Sequence, residues 1–324
     1  MANTEYFELE GGDRMPRIGF GTWQTSDEEL EKAVESALEA GYRHFDAAPV
    51  YENEAALGRA LKKWIGGDPN RRKELFIVTK LPPGGNRPEL VQKWFDASMR
   101  DLGLDYLDMY LIHTPFAFEH VPGDMHPKHP DGSMRVDFTT DLIAVWKEIL
   151  KLKESGRVRH VGVSNVNEEQ LKRLTSVYKP ACLQVEVHVL CQQKDLVAAA
   201  TKLGISVVAY SPLGSKALAD ALSAKTGREY PDLLKLEAVQ RIANSHARTP
   251  AQVLLRYTLQ RGLAVIPKST NPERITQNIS LWDFALTKEE MLELAALDRG
   301  EDGRICDFSF FVGIDKHPEF PFKK

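Results

Sequence analysis

The 324-residue chain is expected to fold as an α/β protein, a closed (β/α)8 TIM barrel. An N-terminal β-hairpin, long loops on one side and an ordered C-terminal loop should complete it. Three observations lead there. Short apolar strands alternate with helical stretches eight times. The strands are continuously apolar rather than alternating, which marks a parallel sheet covered on both faces. An open doubly wound sheet would carry a Gly-rich fingerprint after its first strand. Gly19-Phe20-Gly21 starts one, but Gln24 stands where the third glycine would be, and no P-loop occurs.

The elements follow in order. Residues 6–9 and 15–18 flank Gly11-Gly12-Asp13 and read as a hairpin ahead of the barrel. The first barrel strand covers 18–20. Ser26-Asp27-Glu28-Glu29 reads as the cap of a helix to about residue 40, ended by Gly41. Strand two spans 43–46 with a helix over 53–64, strand three 75–79 with a helix over 88–101, and strand four 106–112. A long polar loop, about 114–137, precedes a helix over 140–155. Strand five covers 158–163 with a helix over 167–175, strand six 182–187 with a helix over 192–203, and strand seven 205–210. A second long loop, about 213–231, leads to helices near 233–245 and 250–261. Strand eight covers 263–266, with helices near 272–278 and 287–297. The tail, 299–324, is rich in Phe, Gly and Pro and reads as an ordered loop. No boundary or repeat divides the chain, so residues 1–324 are expected to form one domain.

The composition is that of a soluble globular protein, 43% hydrophobic and 27% charged. A net charge of −4 gives no electrostatic reason to expect nucleic acid. Residues 1–10 carry no apolar signal core, and no run approaches the roughly 18 apolar residues of a membrane span. Cys182, Cys191 and Cys306 form no metal or redox spacing and fit a reducing compartment. The expected setting is therefore the cytoplasm. His120, His126 and His129 crowd one loop, but no acid or thiol stands at a metal spacing from them, so no metal is expected. Asn278-Ile279-Ser280 is a glycosylation sequon that would be idle in such a compartment.

In a (β/α)8 barrel, catalytic groups stand at the C-terminal ends of the strands. Those positions collect Asp46 after strand two, Lys80 after strand three and His113 after strand four, with Tyr51 just beyond Asp46. Each has a plainer explanation: a helix cap for Asp46, a solvated loop lysine for Lys80, core for Tyr51, a satisfied buried imidazole for His113. Their convergence on one face favours chemistry. A phenol, with an ordinary pKa of about 10, is a poor acid at neutral pH. An ammonium beside it favours the phenolate, so Lys80 is expected to lower the Tyr51 pKa, with Asp46 holding Lys80 in place and protonated. Tyr51 is then a usable general acid, and His113 can orient a carbonyl oxygen. No activated Ser or Cys accompanies them. The set protonates an oxygen on which negative charge develops, so the electrons must come from a hydride cofactor.

The frames around these residues resemble those of the aldo-keto reductase family. They are Gly19-Phe20-Gly21-Thr22-Trp23, Gly41-Tyr42-Arg43-His44-Phe45-Asp46 before Tyr51-Glu52-Asn53-Glu54, Val78-Thr79-Lys80-Leu81, and Leu111-Ile112-His113-Thr114-Pro115. The likeness runs over nearly the whole chain. It implies a barrel that binds NADPH/NADP+ without a Rossmann fold and reduces aldehydes and ketones to alcohols, with Tyr51 as proton donor. By the same likeness, Ser164, Asn165 and Gln184 hold the nicotinamide carboxamide, and Tyr210 is the ring on which nicotinamide stacks. Ser211, Leu213 and Ser215 belong to the pyrophosphate loop. Ile266, Lys268, Ser269, Thr270, Arg274, Gln277 and Asn278 belong to the adenosine end, and Gly21, Thr22, Trp23 and Asp46 complete the cofactor set. Lys268 and Arg274 are two cations beside the Ser269 hydroxyl, which suits a 2′-phosphate and favours NADPH over NADH.

The substrate wall is expected from Trp23, Tyr51, His113, Thr114, Phe116, Phe118, Tyr230 and the tail from Cys306 through Phe308 to Phe311. Thr114 and Leu81 stand where aldose reductases and many relatives have Trp, and Pro49 also departs from the aldose-reductase pattern. The pocket should therefore be less aromatic near His113. The tail most resembles arthropod members of the family, some of which reduce sugars and general aldehydes and some 3-oxo-ecdysteroids. The resemblance implies a monomer that reduces aldoses and aliphatic and aromatic aldehydes. A ketosteroid reductase, and a cofactor-binding structural or regulatory protein with little turnover, are the alternatives on the same fold.

Overall fold

The computed structural model describes residues 5–322. Strands β1 (Tyr6–Glu8) and β2 (Arg14–Pro16) pair antiparallel as the expected hairpin. Eight parallel strands follow, each bonded to the next in chain order: β3 (Phe20–Gly21), β4 (His44–Asp46), β5 (Phe76–Leu81), β6 (Leu107–Ile112), β7 (Val158–Ser164), β8 (Cys182–Glu186), β9 (Ser206–Tyr210) and β10 (Ala264–Val265). The ring closes where Ile18 bridges Val265. There Gly19 N–H donates to the Val265 carbonyl and Val265 N–H to the Arg17 carbonyl, both at 2.8 Å. The fold is a (β/α)8 barrel.

Twelve α-helices surround the described barrel: α1 (Asp27–Glu39), α2 (Glu54–Ile65), α3 (Pro69–Glu74), α4 (Pro88–Leu102), α5 (Leu142–Glu154), α6 (Glu168–Val177), α7 (Lys194–Lys202), α8 (Lys216–Thr226), α9 (Glu237–Ser245), α10 (Pro250–Gln260), α11 (Pro272–Ile279) and α12 (Lys288–Ala295). Three differ from the sequence expectation. The short α3 was not anticipated; Asp68 caps it and Pro69 opens it. The expected loop 213–231 contains α8, which buries Ala219 and Leu222 against Ile305 of the tail. Residues 233–235 form a separate 3-10 turn ahead of α9. Ser26 caps α1 only by position. Its hydroxyl donates to the Glu29 carboxylate at 2.9 Å and makes no bond to the helix backbone.

The period-two alternation of a strand explains where the core lies and where the chemistry stands. On β5 every residue is buried. Ile77 and Leu81 face the helical layer, whereas Phe76 and Val78 fill the barrel interior. Lys80 is the next interior position. The same alternation puts Met109 and Leu111 inside ahead of His113, Cys182 ahead of Gln184 and Glu186, and Val208 ahead of Tyr210. The apolar plug thus ends about one residue below each strand tip, and polar side chains finish the interior stack. Met15, with Phe7 and Leu9 packed beside it, closes the opposite end. No helix among the described residues is long and apolar enough to cross a membrane.

Candidate active site

A cavity of about 790 Å³ opens at the C-terminal ends of the strands. At its floor lies a tetrad of Asp46, Tyr51, Lys80 and His113. Lys80 is wholly buried, and its Nζ donates to Asp46 Oδ1 at 2.5 Å, to the Ala47 carbonyl at 2.9 Å and to the Tyr51 hydroxyl at 3.3 Å. Asp46 is held from its other side, Gln184 Nε2 donating to Oδ2 at 2.7 Å. The Thr22 hydroxyl ties down the Asp46 carbonyl at 2.8 Å, and Asn53 donates in turn to the Thr22 and Thr25 carbonyls. Pro49 opens a single 3-10 turn, 49–51, that swings Tyr51 back over Lys80. The Tyr51 and His113 rings meet edge to face at 5.8 Å.

The electrostatics follow from this burial. Desolvation opposes charge on Lys80, but the Asp46 carboxylate and the Tyr51 oxygen outweigh it, and the lysine pKa is raised. Tyr51 does not behave as expected from the sequence. Burial pushes its pKa up to about 12, the Lys80 ammonium pulls back only part of the shift, and Asp46 adds to the rise. The phenol therefore carries its proton at neutral pH. Burial, helped by Lys80, drives the His113 pKa well below its ordinary value, so the imidazole is neutral. Its Nδ1 is buried without a hydrogen-bond partner. Protonated phenol, protonated lysine and neutral imidazole converge where an oxygen acquiring negative charge could sit.

A groove leads away from this floor, and the residues expected to hold a cofactor line it. Asn165 spans two of them, accepting from the Tyr210 hydroxyl at 2.7 Å and donating to the His113 carbonyl at 2.9 Å and to Ser164 Oγ at 3.1 Å. Gly21, Thr22, Trp23, Ser211, Leu213, Ser215 and Ile266 continue the wall to Lys268, Ser269, Thr270 and Arg274 at the far end. Lys268 Nζ donates to the Gln24 carbonyl at 3.1 Å, across the groove. Burial and the neighbouring Arg274 charge lower the Lys268 pKa. Gln24, Asn165, Ser211, Ser215 and Phe308 line the cavity with positive φ, a conformation costing about 1 kcal/mol or more per residue. Such clustering of strain is what a preorganised ligand groove requires. An aromatic platform, convergent amide and hydroxyl groups and a terminal pair of cations fit a dinucleotide.

Other expected contacts lie elsewhere. Gln277 and Asn278 are outside the cavity wall, one turn along α11 from Arg274, and Gln277 donates to Glu273. Asn278 is buried, which leaves the sequon no accessible amide. Trp23, Thr114, Cys306 and Phe308 line the cavity. Phe116 and Phe118 do not. Both are fully buried in a cluster that joins the 114–137 loop to the tail, Phe116 packing on Phe308 and Phe118 on Phe311, each pair with ring centroids 5.0 Å apart. They were expected at the wall because they are aromatic and follow His113, but the loop turns them beneath it. Tyr230 sits apart, under Arg228. Phe310 and Phe311 line the cavity as expected, and the wall also includes Val50, Pro83, His126, Lys128 and Leu218. Leu218 was legible in principle. The apolar spacing of Leu218, Ala219 and Leu222 and the terminal Gly227 mark α8 as a helix. His120 and His126 rest against Trp94 and Phe311, and no group of metal-ligating side chains is found among the described residues.

The comparisons agree with this geometry. The family model of the aldo/keto reductase family matches residues 17–299. The chain belongs to the aldo/keto reductase family. It is 41% identical to aldo-keto reductase family 1 member A1 of Gallus gallus over 92% of this chain and 90% of that one. Against the protein of the same name from Mus musculus it is 43% identical over 90% and 88%. The solved structure of the aldose reductase from Schistosoma japonicum superposes with a TM-score of 0.89 at 38% identity, covering 99% of both chains. Membership makes the chain an oxidoreductase of carbonyl compounds that uses a nicotinamide cofactor.

Proposed function

We propose that the protein is an NADPH-dependent reductase of aldehydes and ketones, including aldoses and aliphatic and aromatic aldehydes, and that it works as a cytoplasmic monomer. The observation that carries this reading is the Asp46–Lys80–Tyr51 chain, with its phenol protonated and facing the cavity. When bound, NADPH supplies the hydride. Tyr51 donates the proton from its hydroxyl to the carbonyl oxygen. Lys80 stabilises the phenolate left behind, and Asp46 with Gln184 keeps the ammonium aimed at that oxygen. Neutral His113 hydrogen-bonds the same oxygen and fixes its direction. Tyr210, braced by Asn165, forms the flat wall for the nicotinamide, and Lys268 with Arg274 takes the 2′-phosphate. The intact proton-donating set favours an enzyme over a cofactor-binding protein with little turnover, and a ketosteroid is one candidate within the same reaction. Loss of NADPH absorbance with glyceraldehyde, 4-nitrobenzaldehyde and a 3-oxosteroid tests the reading. No oxidation of NADPH with any of the three would overturn it.

A further inference from the structure

We infer that Glu186 is a positioning residue that sets the substrate wall, by clamping the C-terminal tail onto the barrel. This inference rests on the proposed carbonyl reduction only for its kinetic test. Glu186 ends β8 on the interior face, two positions beyond Gln184, yet it touches none of the tetrad groups described above. Its side chain is wholly buried. Both carboxylate oxygens accept from the tail: Ile305 N–H donates to Oε1 at 2.9 Å and Cys306 N–H to Oε2 at 2.8 Å. His188 Nε2 lies 3.0 Å from Oε1. Leu190 N–H donates to His188 Nδ1 at 3.2 Å, so the ring proton sits on Nε2 and points at the carboxylate. Burial works against the Glu186 charge, but the His188 bond, the Arg304 cation and the Ile305 N–H outweigh it, and its pKa is lowered.

The clamp reaches further than two hydrogen bonds. At Gly303 the tail passes so close to the β8–α7 connection that an added Cβ would lie 1.8 Å from the Leu190 carbonyl. Arg304 is held by Glu301 and by Gln193 Oε1, and its guanidinium lies 4.0 Å from the Phe322 ring centroid. From the clamped Cys306 onward, Cys306, Phe308, Phe310 and Phe311 line the cavity. These tail residues lie past the part of the chain that the family model matches, whereas Glu186 lies within it. A buried carboxylate on the barrel thus fixes the starting point of the tail wall. A glutamine here has one oxygen and one NH2, so it cannot accept from both tail amides, and its NH2 would face a donor.

The test is Glu186→Gln in the full chain. Hydrogen exchange at Ile305 and Cys306 should speed up about tenfold or more, the effect of losing a charge-assisted bond. KM for 4-nitrobenzaldehyde, whose ring offers that wall more apolar surface than glyceraldehyde does, should rise about tenfold, within the range that pocket contacts discriminate. NADPH affinity and kcat for glyceraldehyde should stay near wild type. Equal losses for both aldehydes, or unchanged KM for both, would overturn the inference. Should the variant not fold, wild-type exchange decides: amides 305 and 306 must be far slower than those of 309–313, and equal rates refute the clamp. If the wild type reduces neither aldehyde, the functional reading fails while the exchange result still judges the clamp.

Discussion

The floor and the wall of the cavity are built in opposite ways. On the floor, polar groups occupy successive interior strand positions and are cross-linked by short hydrogen bonds, Lys80 to Asp46 at 2.5 Å and Gln184 to Asp46 at 2.7 Å. A displacement there is resisted by the register of the whole barrel. Much of the wall comes from the 114–137 loop and the tail, joined mainly by phenylalanine packing with a few hydrogen bonds such as Met134 N–H to the Val312 carbonyl, rather than by continuous strand pairing. Apolar contacts are non-directional, so such a wall can change shape without disturbing the floor. The difference teaches how one reaction can be kept while its substrates vary.

The largest expected effect falls on the floor. Tyr51→Phe removes the proposed proton donor and should lower kcat by about 10²–10⁴-fold, with NADPH affinity retained. A variant with wild-type kcat would break the distinction at once. Lys80→Met leaves the Asp46 carboxylate buried with Gln184 but without its cation. Denaturant titration should show a loss of about 3–5 kcal/mol, the cost of an uncompensated buried charge, together with a fall in kcat. Phe116→Ala is the matching test of the wall. It should destabilise by about 3–5 kcal/mol as a buried aromatic truncation, yet leave kcat for glyceraldehyde nearly unchanged. A collapse of glyceraldehyde turnover in a folded Phe116→Ala protein would show that the wall and floor are not separable.

Smaller effects are expected at the far end of the groove. Lys268→Ala and Arg274→Ala should each weaken NADPH by about tenfold and NADH little, because a charge-assisted bond to phosphate is lost. Fluorescence titration with both cofactors measures this, and equal weakening would remove the 2′-phosphate assignment. The slightest effect is on pH. The folded His113 and His44 have lowered pKa values, so the unfolded chain takes up protons that the folded chain refuses. Their contribution to stability is complete above about pH 6.5 and is lost as the pH falls below it. His113→Asn should flatten the decline in Tm between pH 7 and pH 5, and an unchanged slope would count against a neutral His113.

By itself the sequence determined the barrel and pointed to the four residues proposed to react. Eight continuous apolar strands leave a parallel closed sheet as their burial solution, and Asp46, Lys80 and His113 end strands whose length and polarity were visible in the chain. The groove residues from Ser164 to Arg274 were read from the likeness to the family rather than from position, since Gln184 lies within β8 and Arg274 within α11. Tertiary structure alone decided three things. Burial set the Tyr51 pKa near 12, since the depth of the site, unlike the identity of its neighbours, is not written in local order. Loop folding sent Phe116 and Phe118 beneath the wall, because an aromatic in an irregular segment has no period to say which way it faces. And the bond from Glu186 to the amides of Ile305 and Cys306 joins residues over a hundred positions apart through backbone donors that every residue but proline carries. Side-chain chemistry is readable in one dimension. A backbone partner is chosen only when the chain returns to it.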